Sequence, residues 1–184
     1  MRVQIVGHSQ VPEGFVSYDD VQVDVYSKSG ARLHHVQTSP ELKDSLEQEV
    51  DLTILFIGGN DVFSLTPTQI YRKIWDLVEL YRRHSRAVRV CALEPREYWR
   101  SRRSVWRQRA ELYNTNSDLI NKRLTRKAKT QKRYRVVNFT QVQFRNHSGD
   151  GVHYYPLDQV FLIRRFKTVI KNVREELNIP TVQQ

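Results

Sequence analysis

Cysteine is nearly absent: Cys91 is the only one among 184 residues. No internal disulfide can form, so the fold must rest on its core. A reducing, cytoplasmic setting, or a domain cut from a larger intracellular protein, is the expectation. Long apolar runs are missing too. No stretch approaches the roughly 18 residues that span a bilayer. The first strand-like run begins at Arg2, which argues against a secretory leader. No His, Cys and carboxylate cluster has metal-ligand spacing, and there is no internal repeat, low-complexity linker or heptad pattern. Acidic residues are the minority charge, 20 Asp and Glu against 30 Lys and Arg, giving a net +10. Such an excess points to an anionic partner, either nucleic acid or an acidic lipid surface. The alternative is a basic surface that only keeps the protein soluble.

What is present is a balanced globular composition, 39% hydrophobic and 27% charged. It suffices for one α/β domain, expected over 1–178, with 179–184 as a tail. Five apolar runs have the short, β-branched character of strands covered on both faces: Arg2–Val6, Val21–Tyr26, Leu52–Ile57, Val88–Leu93 and Tyr134–Asn138. Helical patterns lie among them. Thr66-Pro67-Thr68-Gln69 reads as a capping box with proline at the first helical position, followed by Ile70, Ile74, Leu77, Val78 and Tyr81 on one face. A helix is expected from Ala110 to Lys129 with Leu112, Leu119, Ile120 and Leu124 inward. Another is expected from about Pro156 to Leu177 with Val160, Ile163, Phe166, Val169, Ile170 and Val173 on a stripe. A shorter one fits between Pro40 and Glu49. Alternating strands and helices predict a three-layer α/β/α sandwich around a five-stranded parallel sheet of flavodoxin-like type. Ligands of such sheets bind beyond the carboxyl ends of the strands.

Three motifs fall at those ends: Gly7-His8-Ser9, Gly58-Gly59-Asn60-Asp61 and Asp150-Gly151-Val152-His153. A serine hydroxyl is a poor nucleophile without a base in reach, and the base needs a partner to fix its tautomer. Asp150 and His153, three residues apart, can supply both, leaving Nε2 for Ser9. The oxyanion formed on attack needs donors already in position. The candidates are the backbone N–H groups of Ser9 and Gly30 and the side-chain amide of Asn60. Each motif alone has a plain structural reading, as a helix cap or a turn with glycines at positive φ; their order and convergence point to a hydrolase. His8 is an alternative base, though adjacent side chains on a tight turn diverge. Asp61 reads as a structural partner of its loop, and His34 and His35 as surface residues near the mouth of the site. This chemistry calls for no metal or other cofactor.

On these residues the chain resembles the SGNH (GDSL-type) hydrolase superfamily over nearly its whole length. Ser9 matches the block-one nucleophile, Gly30 the block-two glycine, Asn60 the block-three asparagine, and Asp150 and His153 the final Asp-x-x-His. The resemblance implies a serine esterase acting on an acetyl or acyl ester. Within the superfamily the chain is similar to the esterase domain in the first open-reading-frame protein of some LINE retrotransposons. That narrower likeness rests on Ile5-Val6-Gly7-His8-Ser9, Leu55-Phe56-Ile57-Gly58-Gly59-Asn60-Asp61, Leu93-Glu94-Pro95-Arg96 and Tyr113-Asn114-Thr115-Asn116. One departure stands out: the family's aspartate before the nucleophile is His8 here, a group able to titrate near neutral pH.

Arginines alternate with aromatics from Arg96 to Arg109. Arg96, Trp99, Arg102, Arg103, Trp106 and Arg107 are candidates for an anion site or lid. Such a segment suits anionic lipid, with indoles in the headgroup layer. It also suits nucleic acid, by phosphate contact and base stacking, or simply a solvated loop. A second basic cluster, Lys122 to Arg133, fits a helix C-terminus. An ester substrate, whose identity the residues do not name, is the expected partner of the catalytic site. A binding module on the same scaffold, with weak or no catalysis, is the competing function.

Overall fold

The computed structural model describes residues 1–9, 11, 15–96, 104–131, 134–137 and 156–181. Their elements are β1 (Arg2–His8), β2 (Gln22–Lys28), α1 (His35–Thr38), α2 (Pro40–Lys43), β3 (Val50–Phe56), α3 (Pro67–Tyr81), β4 (Ser85–Cys91), α4 (Ser104–Lys129), β5 (Tyr134–Val137) and α5 (Pro156–Glu176). All five expected strands are present. They form one parallel sheet in the order β2-β1-β3-β4-β5.

Period-two alternation sorts each strand's residues between two cores. Val3, Ile5, Leu52, Ile54, Phe56, Ala87 and Cys91 pack on the α5 side with Phe166 and Ile170. Val6, Leu55, Val88 and Val90 pack on the opposite side with Ile70, Ile74, Val78 and Tyr81 of α3 and Ile120 and Leu124 of α4. The sheet is therefore the middle of three layers. Near-continuous apolar strands follow directly, because neither face meets water.

Two polar side chains enter this sheet in pairs. Gln4 donates to Thr53 at 2.8 Å, bonding neighbouring strands through their side chains. Arg89, 3% exposed, reaches Glu176 at the end of α5, and Glu176 also receives Arg135 of β5 at 3.0 Å. A buried guanidinium is tolerated here because a carboxylate meets it.

The α3 capping box forms as the residues dictate. Thr66 Oγ1 accepts from the Gln69 amide and Gln69 Oε1 accepts from the Thr66 amide. Helix α4 corrects two expectations. It starts at Ser104 rather than Ala110, and Leu112 and Leu119 face out, 55% and 45% exposed. The inward stripe is Ala110, Tyr113, Ser117, Ile120 and Leu124. Val160 of α5 is also outside, 43% exposed, while Leu162, Phe166, Val169, Ile170 and Val173 are buried. Among the described residues no helix is long and apolar enough to cross a membrane.

The chain leaves β1 to one side for β2, then returns to the other side for β3. The carboxyl ends of β1 and β3 therefore flank a crevice where the winding direction reverses, the position at which parallel α/β sheets hold ligands.

Candidate active site

Gly7 lets β1 approach β3 closely. A Cβ at this position would lie 2.4 Å from the Phe56 carbonyl oxygen and 2.6 Å from Val11 Cγ2. The strand ends one residue later at His8, which is buried with its ring 4.9 Å from that of Phe56. Val11 N–H donates to the His8 carbonyl at 2.9 Å, closing a turn that carries Ser9. His8 thus packs against an aromatic ring at the base of this loop, a contact that an aspartate side chain would not make.

The loop after β2 turns in the same way. Ala31 N–H donates to the Lys28 carbonyl at 3.1 Å, and Gly30, with φ +67°, occupies the third position. A positive φ there is what a type II turn demands and glycine supplies at least cost. In the loop after β3, Gly58 has φ +113°; Gly59, expected to share that geometry, instead opens a 3-10 turn through Asp61.

Asn60 and Asp61 tie the last two loops together. Asn60 Nδ2 donates to the Ala31 carbonyl at 3.0 Å, and Asp61 Oδ2 accepts from the Leu33 amide at 3.0 Å. Asp61 is buried, and desolvation raises its pKa against the pull of the Leu33 amide and Arg32. Its role is structural, as its sequence neighbourhood implied. The rings of His34 and His35 meet at 4.1 Å with their planes tilted, and neither lines the cavity described next.

These three loops surround one cavity of about 200 Å³, lined by His8, Ser9, Gly30, Asn60, Glu94, Arg96 and Tyr113, with Phe56, Ile57, Ala92 and Leu93 among its apolar walls. Ser9, Gly30 and Asn60 lie on separate loops and meet only here. Asp150, His153, Trp99, Arg102 and Arg103 lie outside the described residues. Trp106 falls within α4, but its side chain is outside the description. Arg107 points to solvent, 82% exposed, and pairs with Glu111 at 3.2 Å, so it contributes nothing to the cavity.

Among the described side chains of the basic segment, Arg96 is the one that reaches the cavity. Its Nη2 donates to Asn60 Oδ1 at 3.2 Å, and its guanidinium lies 4.2 Å from the centre of the Tyr113 ring. Asn114 accepts from the Arg96 amide at 2.8 Å and donates to the Arg96 carbonyl at 3.0 Å. One helical repeat on, Asn121 holds both backbone groups of Leu93, each at 2.8 Å. The segment 93–96, just beyond β4, is thereby clamped along α4, since residues seven apart share a helix face. Sequence reasoning missed this pair; the signal for it was an asparagine directly after each of the apolar residues Tyr113 and Ile120.

Glu94 is the other residue that motif reading left without a role. It is buried in the cavity wall, and desolvation pushes its carboxyl well above the usual carboxylate range. Tyr113 is also raised by burial, with Arg96 and Ser117 pulling against the shift.

Comparison with known proteins agrees with this architecture. No curated protein matches the chain in sequence. A member of the lipolytic G-D-S-L family from Veillonella parvula superposes with a TM-score of 0.70 at 14% identity, covering 92% of this chain and 98% of its own. A GDSL-like lipase from Bacteroides thetaiotaomicron gives 0.66 at 19% identity, covering 93% and 88%. An acetyl xylan esterase gives 0.66 at 12% identity, covering 92% and 100%. At these identities the likeness is one of fold. The model of the GDSL-like lipase/acylhydrolase family, however, matches residues 4–166, from β1 into α5. The span takes in the loops that carry Ser9, Gly30 and Asn60 and the sequence Asp150-Gly151-Val152-His153, and the chain belongs to the GDSL-like lipase/acylhydrolase family.

Proposed function

We propose that the protein is a carboxylic-ester hydrolase. Ser9 Oγ attacks the ester carbonyl carbon while His153 takes its proton, with Asp150 holding the imidazole in the required tautomer. The amides of Ser9 and Gly30 and the Asn60 carboxamide hold the oxyanion. Collapse expels the alcohol, which takes the proton from His153. Water, deprotonated by the same imidazole, then attacks the acyl-enzyme and releases the acid. The observation that carries this reading is the convergence of Ser9, Gly30 and Asn60 on one cavity at the switch point of the sheet.

Hydrolysis of p-nitrophenyl acetate tests it. Ser9→Ala should remove nearly all activity above the uncatalysed rate, and a fluorophosphonate probe should label wild type but not the variant. Equal rates for the two proteins would take Ser9 out of the mechanism. An acyl-chain-length series would then define the ester.

The narrower sequence likeness supports reading the domain as retrotransposon-encoded. The check is genomic: many copies beside a reverse-transcriptase frame are expected, and a single isolated copy would overturn it. The net charge of +10 favours a second property, association with a polyanion or an anionic lipid surface. It is compatible with catalysis because Arg126, Lys127 and Lys129, in the last turn of α4, lie about 20 Å along the helix from the cavity-lining Tyr113.

A further inference from the structure

A carboxamide can adopt two orientations related by a flip, and only one turns its N–H groups where the Asn60 oxygen would otherwise stand. Two partners with fixed chemistry choose between them at Asn60. The Ala31 carbonyl can only accept, and takes one N–H of Nδ2 at 3.0 Å. The Arg96 guanidinium can only donate, and gives to Oδ1 at 3.2 Å. Both demand the same orientation. Nδ2 carries a second N–H, and Asn60 lines the cavity beside Ser9.

Arg96 is itself held from several directions. Asn114 grips its backbone through both the amide and the carbonyl. The buried Tyr113 ring lies under its guanidinium at 4.2 Å. Its Nη2 also reaches the Gly59 carbonyl at 3.5 Å, the residue before Asn60.

We infer that Arg96 is a positioning residue for the oxyanion donor: anchored on α4 by Asn114 and Tyr113, it holds and polarises the Asn60 carboxamide. The inference rests on the ester-hydrolase reading. A charge-assisted bond to Oδ1 draws electron density toward that oxygen and makes the remaining N–H a stronger donor to a developing oxyanion. Nη2 alone faces both Oδ1 and the Gly59 carbonyl while the planar guanidinium rests on the Tyr113 ring; a lysine ammonium keeps the charge but has no planar face to lie on that ring.

Steady-state kinetics on p-nitrophenyl acetate, a neutral ester, test the relay in wild type, Ser9→Ala, Asn60→Ala, Arg96→Gln, Arg96→Lys, Arg96→Ala and the double variant Asn60→Ala/Arg96→Gln. Arg96→Gln should lower kcat by about 10- to 100-fold with KM little changed, less than the roughly 10²–10³ of losing an oxyanion donor outright. The double variant should be no slower than Asn60→Ala alone, because Arg96 acts through Asn60. Guanidinium ion should restore part of the rate to Arg96→Ala and none to Asn60→Ala. Arg96→Lys keeps the charge and should recover only a small part; it carries the same comparison if Arg96→Gln proves unstable. Losses that multiply in the double variant, a loss confined to KM, or an unchanged kcat would overturn the relay. A wild-type rate no higher than that of Ser9→Ala would instead overturn the hydrolase reading beneath it.

Discussion

Glu94 shows how far a single residue's setting can depart from its type. It is 8% exposed, in the wall of the cavity, and burial raises its pKa well above 4.5. The folded state therefore binds a proton that the unfolded chain releases once pH exceeds about the ordinary glutamate value. Stability falls as pH rises from there toward the folded pKa, and is unaffected below both. Glu94→Gln, a neutral group of the same shape, should remove that slope: urea midpoints should match wild type near pH 4 and exceed it at pH 7–8. Parallel curves across that range would show that Glu94 does not titrate differently on folding. Gly7 is the opposite case, a residue defined by what it lacks. Gly7→Ala should lower unfolding free energy by about 1–3 kcal/mol through strain, read by urea denaturation, because its methyl would meet the Phe56 carbonyl at 2.4 Å. The glycine itself was visible in Gly7-His8-Ser9. The reason for it, a backbone from 49 residues further along, was not.

At the scale of elements, α3 and α4 differ in how legible they were. The Thr66–Gln69 box and the stripe from Ile70 to Tyr81 are local, and both form as their spacing dictates. Thr66→Ala should cost about 1 kcal/mol, measured by thermal or urea unfolding, with no change in kcat. In α4 two stripes compete. Leu112 and Leu119 are the more apolar, yet the buried line runs through Tyr113, Ser117, Ile120 and Leu124. The deciding contacts are polar. Asn114 and Asn121 must face the segment 93–96, and residues two apart lie on nearly opposite sides of a helix. Leu112 and Leu119 are thereby turned outward. Asn121→Leu should cost about 1–3 kcal/mol by leaving both backbone groups of Leu93 without their partner. It should also lower activity indirectly, because the clamp aligns the segment that ends at Arg96. A variant as stable as wild type would show that solvent replaces the clamp.

Charge governs the behaviour of the whole molecule toward its surroundings. With a net +10, binding to a polyanion such as poly(U) should be measurable at low salt and fall steeply by about 200 mM as the entropy gained by releasing condensed counterions shrinks. A flat salt response would mean that the charge serves solubility alone. The layer order follows from the same composition that a linear reading sees: continuous apolar strands need cover on both faces, and the intervening helices supply it.

The chain's order of residues by itself determined the class of fold, the five strands, the capped helix and the loops that carry Ser9 and Asn60, because each is written in local pattern and spacing. Only the tertiary structure decided that Arg96, alone of the basic segment's described side chains, reaches the cavity, that Glu94 is buried in its wall, where desolvation raises its pKa, and that α4 turns Leu112 and Leu119 to water. Each of these depends on groups tens of residues apart, and no periodicity records which face of a helix its distant partners will claim.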